Sequence, residues 1–330
     1  MEKLIFSFLC SFFIAMIILP AFIFLMKKIK AKQTILTYVT QHQIKEGIPT
    51  MGGIVFLISS TIGCIIFWEG EKTLAIVVLV VMLVYGAIGA LDDGIKIFFK
   101  RNMGLKAYQK IISQGLVAFF ASFFAYKNGY IGSDVLIPIW GNYVDLGVFY
   151  LPLTFTVYVA TTNCVNLTDG LDGLAGNTVT VYLATICILV LGVYIEKESL
   201  GQTFYAEELN NVLVFITALI GGCLAFLWFN SYRAKIFMGD TGSLALGGAC
   251  AILPIVIKNP LIILFVGIMF VVSGISVIIQ VLVYKVKKKR VFLMAPFHHH
   301  LEMKGYNESK IVAFYTIITI IAGAVSIIIS

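Results

Sequence analysis

The chain has 330 residues, of which 60% are hydrophobic and 12% charged, against roughly 25% charged in a soluble domain. Its mean hydropathy of +0.98 excludes a soluble globular protein. One span takes about 20 apolar residues, so about ten spans fit, with connections too short to bury a core of their own. The net charge of +7 is carried by short basic connections, a pattern that reports membrane topology and gives no reason to expect nucleic acid.

Apolar runs between charged or glycine-rich breaks predict helices over 4–26, 52–68, 73–91, 111–126, 148–165, 174–195, 210–229, 243–258, 260–284 and 311–329. The first run is too long for a signal-peptide core and lacks a small-residue cleavage site before Lys27, so it reads as a retained helix. Between the fourth and fifth helices, residues 135–146 alternate around Gly141 and Asn142 and predict a small extracytoplasmic β-hairpin. The ninth run exceeds one perpendicular span and contains Gly267 and Gly274, which predicts a tilted or bent helix lining a groove open to the bilayer. The six cysteines lie in or beside apolar segments without metal-type spacing and read as small buried thiols.

Lys and Arg set the orientation. Connections after the odd-numbered helices hold nearly all of them, whereas only Lys3, Lys72, Lys127, Lys197 and Lys258 fall on the other side. By the positive-inside rule the basic side is cytoplasmic and both termini are outside. The predicted fold class is therefore an all-α polytopic membrane protein of about ten transmembrane helices, a single integral membrane domain over 1–330.

Five polar, glycine-rich segments, 45–53, 91–96, 166–176, 230–243 and 296–302, all fall on that cytoplasmic side. A site assembled from distant stretches must have its pieces on one face. Asp92 and Asp93 close the third helix, where carboxylates facing hydrocarbon are costly. They are either a solvated helix end balanced by Lys96 and Lys100, or a DDxxK site in which a carboxylate handles a proton or metal and Lys96 steadies phosphate. The spacing alone leaves both open.

In NCVNLTDGLDGLAG, Asn163, Asn166, Asp169 and Asp172 recur every third position and, if this stretch is helical, lie along one side of it. Helix capping with glycine turns explains part of this, but four polar groups exceed what one cap requires. Asp240, between Gly239 and Thr241 just before the eighth helix, is either an ordinary N-cap or a carboxylate for Mg²⁺ beside backbone N–H groups suited to phosphate. His298, His299 and His300 precede Glu302. Adjacent side chains diverge and no cysteine is near, which weighs against zinc and favours hydrogen bonding to a polyanionic or sugar substrate. Lys45 and GIPTMGG place a cation before a turn that permits either close helix packing or substrate entry.

Taken together, GIPTMGG, LDDGIK, GLKAYQK, NLTDGLDGLAG, FNSYRAKIFMGDTGS and APFHHHLE resemble, in order and spacing over the whole chain, the polyprenyl-phosphate N-acetylhexosamine-1-phosphate transferases. The PxHHHxE pattern points to their phospho-N-acetylmuramoyl-pentapeptide transferase branch. Ile48 and Tyr108 depart from the usual pattern, without removing an acidic or histidine group.

The resemblance implies a homodimer in the bacterial cytoplasmic (inner) membrane, with a cleft facing the cytoplasm. It implies transfer of phospho-MurNAc-pentapeptide from UDP-MurNAc-pentapeptide to undecaprenyl phosphate, giving lipid I and UMP for peptidoglycan synthesis. By the same likeness Asp240 binds Mg²⁺, and Asp92 and Asp93 are the catalytic pair. Lys45, Lys96, Lys110, Asn163, Asn166, Asp169, Asp172, Phe237, Gly239, His298, His299 and His300 line the substrate site. Another enzyme of the superfamily that moves GlcNAc-1-phosphate is the nearest alternative. A secondary transporter would need acidic groups near the midplane in matching repeats, whereas these gather at one interface.

Overall fold

A backbone in hydrocarbon must satisfy its own N–H and C=O groups, so apolar runs close into helices. The computed structural model describes residues 1–29, 47–99 and 104–330. Its elements in chain order are α1 (Glu2–Lys28), α2 (Gly53–Phe67), α3 (Thr73–Phe98), α4 (Ala107–Lys127), β1 (Asp134–Ile137), β2 (Asn142–Asp145), α5 (Tyr150–Thr168), α6 (Leu174–Ser199), α7 (Thr203–Asn230), α8 (Gly239–Val256), α9 (Ile263–Val266), α10 (Ile268–Lys287), α11 (Phe297–Met303) and α12 (Glu308–Ile328).

Among the described residues, eight helices are long and apolar enough to cross a membrane, and Gly53–Phe67 is a shorter apolar helix. The remaining predicted crossing, α4, carries Gln109, Lys110 and Gln114 in its first turns, which dilutes its hydropathy. Both of these helices still run from one end of the bundle to the other. α2 starts where Gly52 and Gly53 donate to the Phe237 and Met238 carbonyls and ends at Trp68, whose indole donates to the Asn211 carbonyl. α4 carries Lys110, beside Asp240, near its start and leads to Tyr130, stacked on Tyr205.

The two termini lie at the same end, opposite the Asp92–Asp240 cluster. Lys3 pairs with Glu69, and Ile139 donates to the Ile329 carbonyl. At this end Glu208, 2% exposed, accepts the free N–H groups of Thr73 and Leu74 at 2.9 and 2.7 Å. The carboxylate thus satisfies orphan donors at the positive end of the α3 dipole.

α8 is the central helix, with every residue from Thr241 to Val256 buried. Without a hydrophobic drive between helices in lipid, small residues that let backbones approach decide the packing. Gly53 of α2 abuts Gly242 of α8, and Gly89 of α3 lies directly against the Asp240 backbone, where any Cβ would collide. That contact brings the end of α3 to the start of α8.

Several expectations need correction. α3 continues to Phe98 and α8 begins at Gly239, so Asp92, Asp93, Lys96 and Asp240 sit on helices. The hairpin turn is 138–141, because Ile137 pairs with Asn142; Asn142 is a strand residue, and Gly141 supplies a positive φ of 66°. The ninth run breaks at Gly267 between α9 and α10, as a bent element should. The face of α10 bearing Ile275, Ile278 and Leu282 is exposed.

Candidate active site

The last turns of α3 present Asp92 and Asp93, each 3% exposed. Buried carboxylates require partners, and Lys96, one turn on, supplies a common one. Its Nζ lies 2.6 Å from Asp92 Oδ2, 3.7 Å from Asp93 Oδ1 and 2.5 Å from Asp240 Oδ2. From α4, Lys110 Nζ adds a second cation 3.2 Å from Asp240 Oδ2. One oxygen from each of the three carboxylates falls within 4.8 Å of the others.

Each carboxylate is also held from behind. Asp92 Oδ1 accepts the Leu105 N–H at 2.8 Å. Asp93 Oδ2 accepts both the N–H and the hydroxyl of Thr241, at 2.9 and 2.8 Å. Asp240 Oδ1 accepts from Asn166 Nδ2 at 2.6 Å, and the same amide reaches Ser243 Oγ at 2.7 Å. Gly239, with φ of 75°, gives the left-handed turn into α8; a side chain there would come within 2.5 Å of Asp93 Oδ2. The sequence offers Thr241 only as an N-cap and does not single out Ser243 or the Leu105 N–H, although the two side chains lie in the MGDTGS stretch.

The run from Asn163 to Asp172 is not one helical face. Asn163 and Asn166 share the end of α5, but the helix stops at Thr168 and Asp169 caps it. Asn163 Nδ2 donates to Gln114 Oε1 at 2.7 Å, one turn away from the carboxylates. Asp169 faces the site: burial, with Asp240, Asp93 and Asp172 near, pushes its carboxyl up to about 7.

Asp172, 3% exposed, accepts the Ala234 N–H at 3.0 Å, and its own N–H donates to Glu308 Oε1 at 2.6 Å. Asn230 completes this clamp. It accepts the Gly173 N–H at 3.1 Å and donates to the Ile236 carbonyl at 2.8 Å, tying the α5–α6 turn to the strand of chain that carries Phe237. Gln114 and Glu308 lie in no motif, and only the folded chain reveals them.

Phe237, half-buried, pairs its N–H with the Pro49 carbonyl at 2.8 Å. GIPTMGG therefore buttresses the start of α8. Lys45 lies outside the described residues.

The three histidines open α11 and diverge, as adjacent helical side chains must. His298 is fully buried, seated on Gly170 of the α5–α6 turn and 6.3 Å from the Tyr315 ring. His299 Nδ1 is 3.0 Å from the Glu302 carboxylate. His300 Nδ1 accepts the Leu293 N–H at 3.1 Å, and desolvation with Lys304 nearby holds its pKa below the ordinary value. The structure joins the histidine helix to the carboxylate end of the bundle through Gly170, while each ring has its own surroundings.

A buried cluster of three carboxylates and two ammonium groups at the ends of membrane helices can bind cations and phosphates and can exchange protons. The model of glycosyl transferase family 4 matches residues 75–258, more than half the chain, and defines it as a membrane-embedded transferase of that class. Phospho-N-acetylmuramoyl-pentapeptide-transferase signature 1 matches residues 45–57.

The chain is similar to the phospho-N-acetylmuramoyl-pentapeptide-transferase of Clostridium kluyveri (strain ATCC 8527 / DSM 555 / NBRC 12016 / NCIMB 10680 / K1), 41% identical over 97% of each chain. That of Clostridium botulinum (strain Alaska E43 / Type E3) is 44% identical over 95% of this chain and 92% of its own. That of Thermoanaerobacter sp. (strain X514) is 42% identical over 98% and 97%. The chain belongs to the phospho-N-acetylmuramoyl-pentapeptide-transferase family.

Proposed function

We propose that the enzyme transfers phospho-MurNAc-pentapeptide from UDP-MurNAc-pentapeptide to undecaprenyl phosphate at the cytoplasmic face of the membrane, releasing UMP and leaving lipid I. The observation that carries this reading, in a chain of this family, is Lys96 Nζ bridging Asp92, Asp93 and Asp240 beside Lys110. The reaction joins two anions, so charge must be screened before the lipid oxygen can approach phosphorus.

Lys96 and Lys110 supply fixed positive charge to the two phosphates. A lipid phosphate oxygen attacks the phosphorus attached to the sugar, the bond from that phosphorus to the UMP oxygen breaks, and UMP departs with the electron pair. A phosphate monoester has a second pKa of about 6 and is largely dianionic at neutral pH, so any residual proton passes to Asp92 Oδ2. Asp93, its other oxygen fixed by Thr241, positions the pair.

The donor set suits Mg²⁺: three carboxylates within 4.8 Å offer hard oxygen ligands, and a cationic ammonium already lies among them. When bound, Mg²⁺ supplies Lewis-acid screening of the pyrophosphate. Asp240, with Asn166 and Lys110 fixing its oxygens, would hold it.

Purified enzyme given undecaprenyl phosphate and Mg²⁺ should release UMP from UDP-MurNAc-pentapeptide and not from UDP-GlcNAc; the reverse preference would assign it to the GlcNAc-1-phosphate branch. Asp92→Asn should lower turnover on the order of 10²-fold. Near-normal turnover across the pH range would remove Asp92 as base, and a phosphosugar-enzyme trapped without lipid would replace direct attack by a two-step route.

A further inference from the structure

At the end of the bundle away from the carboxylates, the β1–β2 hairpin walls a cavity of about 780 Å³ that the reaction does not use. Its lining brings together Tyr130, Asp134 and Tyr143 from the hairpin region, Lys197 from the end of α6, Tyr205 from the start of α7, and Lys258 just after α8. The Leu136 N–H donates to the Lys258 carbonyl at 2.8 Å, joining the hairpin to the bundle. Lys258 takes a φ of 58°, a left-handed backbone uncommon for a side-chain-bearing residue and often associated with binding sites.

The charges are balanced in a specific way. Lys197 and Lys258 are mostly enclosed, with side chains 21% and 25% exposed, and their partners are more open: Asp134, in the cavity lining, is 46% exposed and Glu196, paired with Lys197 beside the cavity, 53%. Pairs with such exposed carboxylates contribute about 0–1 kcal/mol, so either ammonium can take a phosphate oxygen instead at little cost. Tyr130 and Tyr205 stack on each other at 4.8 Å with an interplanar angle of 7° and form a firm wall, while Tyr143 is 54% exposed and offers an open ring face, which attracts ammonium groups. The cavity lies where α6 and α8 end and α7 begins, the level of lipid headgroups. Trp140 and Phe149, 77% and 79% exposed, mark an aromatic interfacial belt nearby.

We propose that this cavity binds the phosphoethanolamine headgroup of a membrane phospholipid, with the phosphate on Lys197 and Lys258 and the ammonium on Asp134 and the Tyr143 ring, beside Glu196. A phosphatidylglycerol headgroup would leave both carboxylates facing an anion. A choline headgroup has no N–H to donate to them. If the carboxylate cluster faces the cytoplasm, as proposed above, the lipid comes from the outer leaflet; the headgroup chemistry does not depend on that orientation.

Native mass spectrometry of the full-length protein, offered phosphatidylethanolamine, phosphatidylglycerol and phosphatidylcholine of identical acyl chains, tests this. Phosphatidylethanolamine should be retained about fivefold over either competitor, the ratio for roughly 1 kcal/mol. Lys197→Gln with Lys258→Gln should abolish that excess, and Asp134→Asn with Glu196→Gln should shift preference toward phosphatidylglycerol. UMP release in the same preparations reports that each variant is folded. If loss of Lys258 loosens the hairpin, Lys197→Gln alone should still lower the excess. Equal retention of the three lipids, a wild-type preference for phosphatidylglycerol, or an excess unchanged in the lysine variants would overturn the proposal.

Discussion

Thr241 shows how little of a site is carried by the groups that meet substrate. Its hydroxyl and N–H both fix Asp93 Oδ2, leaving the other oxygen toward Lys96. Thr241→Val keeps the N–H bond and loses one of about 1 kcal/mol, so turnover should fall roughly fivefold to tenfold, with Thr241→Ser restoring it; an equal loss in both variants would point to packing alone.

Asp169 gives the pH dependence. Its carboxyl is raised from 3.8 to about 7, so the folded protein holds the proton longer than the unfolded chain. The stability this confers is present at low pH and is lost as pH rises from about 4 to about 7. Asp169→Asn keeps the neutral form, so its melting temperature relative to wild type should rise across that window and then level off. A constant difference would contradict the assignment. The acidic and amide groups were legible because each stands in a polar island within apolar sequence. Gln114 and Glu308 were not, since their roles come only from which helices pack beside them.

Helix ends decide whether those residues meet. Asn163 to Asp172 would share one face only if that stretch were helical, and it is not: α5 stops at Thr168, and Gly170 and Gly173 follow the cap and turn the chain into α6. Gly239 to Gly242 reads as a loop in sequence, so the predicted start of α8 falls four residues late, yet buried against α3 this stretch is helical. Gly89 is the residue on which that contact depends. Gly89→Ala forces a methyl into the Asp240 backbone and should cost about 1–3 kcal/mol, seen as a lower melting temperature together with lost UMP release, whereas Gly94→Ala, which meets nothing within 4 Å, should change neither. A Gly89→Ala enzyme with wild-type stability and activity would show that α3 and α8 need not touch.

Across the whole molecule, the apolar runs and the distribution of Lys and Arg were enough to place the polar segments at one end, because hydropathy and length constrain a chain in lipid far more than in water. The hairpin cavity escaped that reading, since its lining comes from five separate connections and helix ends. The orientation itself is open to direct labelling. In a cysteine-free background, a cysteine at exposed Ser199 should react with a membrane-impermeant maleimide added to intact cells and one at exposed Lys304 should not; the opposite pattern would invert the topology.

The most direct test of convergence on a single phosphate-transfer site is to quantify UMP and lipid-linked phosphosugar together in one reaction containing Mg²⁺, undecaprenyl phosphate and UDP-MurNAc-pentapeptide, for wild type and Asp240→Asn. The two products should appear in equal amounts from wild type, and both should fall on the order of 10²-fold or more in the variant. UMP formed without lipid product, or an Asp240→Asn enzyme as fast as wild type, would contradict it.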